Sequence, residues 1–146
     1  MTVALIDDQM LGAVLRGQRP RVLASKEIYT TGYWYVRLCQ AALGVQERTG
    51  VLSGPFVELP EELRQRALAA VLELPDEIGM LSLRELGPTI AALRSRHQLN
   101  ILSIEALAAA ARLNAQVYLS ASSPQLEQAL RSTNLKVRVR PPPSRR

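Results

Sequence analysis

Asp7 and Asp8 close a short apolar run, Val3-Ala4-Leu5-Ile6, and Glu105 lies early in an alanine-rich helical stretch. The run reads as a buried strand of a parallel sheet, and such sheets bind ligands outside the carboxyl ends of their strands. Ser120 ends a second expected strand, 116–120, Ser122 follows it, and both reach the same edge. Carboxylates converging there repel one another unless a hard cation lies between them. Mg2+ or Mn2+, held by one or two carboxylates and several waters, suits these donors. Such an ion polarises a phosphodiester and generates hydroxide for in-line attack. The same acids also have plainer uses. Asp8, ahead of Gln9-Met10-Leu11, suits a helix N-cap, and the dipole favours Glu105 in a first turn.

Other side chains carry weaker signals. Tyr29, Tyr33, Trp34 and Tyr35 lie beside Arg37 and make up four of the six aromatics. They read as core or dimer surface more readily than as a base-stacking platform. Arg37 is a permanent cation able to bind a phosphate in bidentate fashion. His97 ends a helix, where the dipole favours it, and Cys39 reads as a small buried hydrophobe. Glu85 completes a capping box with Ser82.

These residues require a scaffold. The pattern predicts a strand at 3–6 and a helix through Met10 and Leu15 ending at Gly17. A second strand is expected within 21–29. A helix opened by Thr30-Thr31-Gly32 runs to Gly44, with Trp34, Leu38 and Ala42 on one face. Residues 50–60 read as a loop, because they hold two glycines and two prolines. A helix follows from Pro60 to about Glu73, and Leu74-Pro75-Asp76 breaks it. Ser82 starts another helix reaching about Arg96, irregular at Gly87-Pro88. Ser103 is expected to cap a helix over 104–113. Strand 116–120, a helix from Ser123-Pro124 to about Arg131 and strand 135–139 then form a parallel βαβ unit. The fold class is therefore α/β, a single domain over 1–140 with a mainly parallel central sheet flanked by helices. Residues 141–146 form a basic Pro/Arg tail.

Composition narrows the classes. The chain has 146 residues, 47% hydrophobic and 21% charged, which excludes a disordered polar chain. One cysteine and one histidine exclude a disulfide framework and the usual zinc sites. With no signal peptide and no apolar stretch of ~20 residues, the expectation is a cytoplasmic protein without a membrane span. The net charge of +5 is uneven. Lys136, Arg138, Arg140, Arg145 and Arg146 carry all of it, because residues 1–135 hold 13 basic and 13 acidic side chains. Lys136, Arg138 and the tail can neutralise nucleic-acid phosphates or an acidic partner segment.

Two segments resemble the PIN-domain family. VALIDDQMLGAVLRG is similar to the family's opening, and SIEALAAAARLNAQVYLSASSPQLEQALRSTNLKVRV to its last third. The resemblance implies a metal-dependent ribonuclease, many relatives being the toxin half of toxin–antitoxin pairs. It places Asp7 on the family's first Asp and Glu105 where an Asp is usual. Ser122 stands where the family ends in Asp, and Arg37 where it has a Glu. The implied function is a weak or impaired Mg2+- or Mn2+-dependent endoribonuclease. Asp7 and Glu105 would be its catalytic acids, Asp8 a further metal ligand, and Arg37, Ser120, Ser122, Lys136 and Arg138 its RNA contacts. The alternative is an inactive PIN-like module that binds RNA or a protein partner such as an antitoxin. A homodimer, with the Trp34 face as its interface, is a third expectation.

Overall fold

A computed structural model describes residues 2–44 and 50–141. Five strands form one sheet: β1 (Val3–Ile6), β2 (Glu27–Thr30), β3 (Ile78–Met80), β4 (Gln116–Leu119) and β5 (Val137–Val139). Their order is β3-β2-β1-β4-β5 and every pairing is parallel, so β1 lies at the centre. The described helices are α1 (Asp8–Leu15), α2 (Gly32–Leu43), α3 (Gly54–Val57), α4 (Glu61–Leu72), α5 (Leu83–Arg94), α6 (Ile101–Leu113) and α7 (Pro124–Ser132).

The continuous apolar run of β1 follows from its place, since a central strand is covered on both faces. Successive side chains point to opposite sides. Leu5 joins Val117, Leu119 and residues of α5, α6 and α7 in one core. Ala4 and Ile6 join Ile28, Tyr118 and residues of α1, α2 and α4 in the other. The alanine run of α6 is buried because only small side chains let a helix approach the sheet so closely.

Four helices start in the same way, with an oxygen at the N-cap accepting the N–H three residues on. Asp7 accepts from Met10 (3.0 Å), Thr31 from Trp34 (3.2 Å), Ser82 from Glu85 (3.3 Å) and Asn100 from Ser103 (2.9 Å). Two of these correct the sequence reading. Asp7, not Asp8, caps α1. Asn100, not Ser103, caps α6, so that helix begins three residues earlier than expected and Glu105 falls in its second turn. An amide side chain accepts the orphan N–H as well as a hydroxyl does, and the Asn lies one turn upstream.

Other expectations are also amended. Residues Arg21–Leu23 form a 3-10 turn after Pro20, and the second strand starts only at Glu27. Within 50–60, α3 forms a helical turn because Phe56 inserts fully into the core. Helix α5 is continuous through Pro88, which removes one i→i−4 bond without ending the helix. Strand β3 was not anticipated, since it is three residues long, has a glycine at its centre and lies at an edge. A Cβ on Gly79 would sit 2.5 Å from the ring of Tyr29, its partner in register, so the aromatic ring fills the space of the missing side chain. The final strand is shorter than expected, with Leu135 buried ahead of it. Arg145 and Arg146 lie outside the described residues.

Candidate functional site

The carboxyl ends of β1 and β4 bring Asp7, Asp8, Ser120 and Ser122 to one edge, with the start of α2 and the second turn of α6 beside them. Asp7 is buried and fully engaged. Its Oδ1 accepts from the Met10 N–H and from the Ser120 hydroxyl (2.8 Å), and its Oδ2 accepts from the Ser120 N–H (2.7 Å). Burial pushes its carboxyl above the ordinary value, while the bonds from Ser120 and Met10 pull it down.

Glu105 is 0% exposed and reaches across to α2. Its Oε1 accepts the Tyr33 N–H (2.8 Å) and its Oε2 accepts the Gly32 N–H (3.1 Å). The first N–H groups of a helix have no intrahelical partner, and the dipole there favours an anion. One carboxylate thus satisfies two orphan donors and meets the positive end of α2. A Cβ at position 32 would lie 3.1 Å from Glu105 Oε2, so Gly32 makes room for this contact.

Asp8 is the acid with reserve capacity. Its Oδ1 accepts the Gln9 N–H (2.8 Å), while its buried Oδ2 has no hydrogen-bond partner. The guanidinium of Arg37 supplies the nearest charge, with Nε 3.4 Å from that oxygen. Burial raises the Asp8 carboxyl above its ordinary value, and Arg37 opposes the rise.

Several residues lie elsewhere than a shared ligand shell. The Ser122 hydroxyl donates to Glu127 Oε2 (2.9 Å), which also accepts the Ser123 N–H (2.8 Å) at the start of α7. Arg138 lies on edge strand β5 beside Tyr118. Lys136 precedes β5, at the opposite end of the sheet from Asp7, and lines a cavity with Thr2, Asn114 and Asn134. Trp34 is 4% exposed and belongs to the core, which overturns the Trp34 face as a dimer surface. The Tyr35 hydroxyl donates to the Val71 carbonyl (2.7 Å), so that ring ties α2 to α4. Of the aromatic cluster, Tyr33 is the most open. The roles of Gly32, Asn100 and Glu127 were not read from the sequence; a glycine directly after a Thr cap was the available signal for the first.

A divalent ion needs convergent oxygens with free lone pairs and net negative charge. The helix dipole offsets the charge of Glu105, and Arg37 offsets that of Asp8. Among the described residues no group of three or more His, Cys, Asp and Glu side chains is placed to hold an ion. Asp7 and Glu105 thus spend their oxygens on donors of the fold, and Asp8 Oδ2 is the carboxylate oxygen left without a hydrogen-bond partner.

No protein-family model matches the chain, and no curated protein does. Among solved structures, that of VapBC-1 from nontypeable Haemophilus influenzae, at 2.2 Å resolution, is similar with a TM-score of 0.51. The likeness covers 94% of this chain and 98% of that one at 14% identity. At that identity it is a likeness of fold, and it agrees with a single PIN-like α/β unit built on a parallel sheet.

Proposed function

We propose that this chain is a PIN-like module without nuclease activity that acts by binding a protein partner. The observation that carries the reading is the pair of bonds from Glu105 to the Gly32 and Tyr33 N–H groups. To ligate an ion, the buried carboxylate would have to weaken its hold on two part-buried donors at the start of α2, at about 1 kcal/mol for each hydrogen bond. Asp7 is bound in the same manner by Ser120 and Met10. The acids of the family's site, where this chain retains them, hold its helices and strands in place. The fold is similar to that of VapBC-1, and the resemblance of the two sequence segments to a family rich in toxin–antitoxin members supports a protein partner. The single half-buried Cys39 suits a reducing cytoplasm. Among the described residues no helix is long and apolar enough to cross a membrane.

A weak endoribonuclease is the second reading, favoured by the buried Asp8 Oδ2 that lacks a hydrogen-bond partner. The purified chain incubated with single-stranded RNA and Mn2+ decides between them. The expected result is no cleavage above the metal-free control. Cleavage that disappears in Asp7→Asn would overturn the proposal.

A further inference from the structure

Strand β5 ends the sheet, and its hydrogen bonds fix which of its backbone groups remain outside. The Val117 N–H donates to the Lys136 carbonyl (2.9 Å), and the Arg140 N–H donates to the Leu119 carbonyl (2.7 Å). Backbone direction alternates along a strand, so residues 136, 138 and 140 face β4. Val137 and Val139 therefore aim their N–H and C=O groups at the open edge. Among the described residues no strand pairs with that edge.

Side chains alternate too. Val137 packs into the core beneath α6 and α7, and Val139, on the same face, is 40% exposed. Lys136, Arg138 and Arg140 project from the opposite face and are exposed. They stand about 6.6 Å apart along the strand. Basic side chains on an edge guard it against pairing with copies of itself. An acidic strand is not repelled by that guard.

We propose that the outer edge of β5 takes an acidic, extended segment of a partner protein as a sixth strand. The segment would alternate acidic and apolar residues. Its acids would meet Lys136, Arg138 and Arg140, its apolar side chains would cover Val139, and its backbone would pair with Val137 and Val139. Nucleic acid could match the three cations, but it offers no backbone ladder for the two valines. Pro141 ends the edge, so the added strand is short.

This proposal rests on the protein-binding reading, and it is tested on the full chain, isotopically labelled, by amide NMR. The probe is a short capped peptide alternating Glu and Val, compared with a peptide of the same composition whose acids form one block. The alternating peptide should shift the Val137 and Val139 amides and bind about fivefold more tightly than the block peptide. The double change Lys136→Glu with Arg138→Glu should weaken it about tenfold. Val139→Pro removes an outward N–H and leaves the bonds to β4 intact, so the sheet should persist while binding falls about fivefold. A peptide N-methylated at alternate residues should lose affinity likewise, which keeps the test valid if that variant fails to fold.

Equal binding of the two peptides, shifts away from β5, or indifference to both Val139→Pro and N-methylation would overturn strand addition. So would single-stranded RNA that binds through the same cations while the alternating peptide does not. Failure of the peptide removes this edge alone, whereas Asp7-dependent RNA cleavage removes the reading beneath it.

Discussion

Glu105 lies on α6 but acts on α2, where its carboxylate closes the first turn. Its removal should therefore be felt as instability in α2. Glu105→Ala leaves two part-buried N–H groups at the start of α2 without their acceptor, and we expect a loss of about 2–3 kcal/mol in urea unfolding. A cost under about 0.5 kcal/mol would show that water replaces the carboxylate freely. Asp8 provides a test by pH. Its carboxyl is raised by burial, so the folded chain holds that proton at a pH where the unfolded chain has released it. The resulting stability is fully present below the ordinary value of 3.8 and is lost as pH rises through the raised value. Asp8→Asn should accordingly raise the unfolding midpoint at pH 7, and its advantage should shrink toward pH 4. The comparison is made in chelator-treated buffer, and a pH-independent difference would contradict it. The sequence marked these acids as important but not what they bind. Asp7 and Asp8 are adjacent, and only the phase of α1 decides which of them becomes the cap.

At the scale of elements, caps and glycines account for most of what was and was not legible. Thr31, Ser82 and Ser123-Pro124 each mark a helix start in the sequence, and the structure agrees. Asn100 is the less legible cap because Ser103 stands closer to the alanine run. The cap geometry predicts that Asn100→Ala costs about 1 kcal/mol and Ser103→Ala much less; the reverse order would refute it. Strand β3 was illegible for a different reason. Three residues are too few to show a period of two, and the contact that suits Gly79 to its place comes from Tyr29, far away in the chain. Gly79→Ala must displace that ring, and a loss of about 1–3 kcal/mol in thermal or urea unfolding is expected. An unchanged midpoint would mean that the ring swings aside without cost.

For the molecule as a whole, the short continuous apolar strand and the βαβ unit near the end were enough to foresee a parallel α/β sheet. They did not reveal how the acids are partnered, because each partnership is made across the fold: Glu105 with Gly32, Asp7 with Ser120, Asp8 with Arg37. At the resulting edge, Asp7 and Glu105 are already bound by donors of the fold itself. Among the described residues, Lys136, Arg138 and Arg140 lie on or beside the edge strand β5, and β4 stands between it and β1. The most direct test is a Mn2+ titration followed through the amide signals of Gly32, Tyr33 and Ser120. Acids held by the fold predict no saturable paramagnetic broadening of those three signals at millimolar Mn2+. Saturable broadening of all three that is lost in Asp7→Asn would contradict the account.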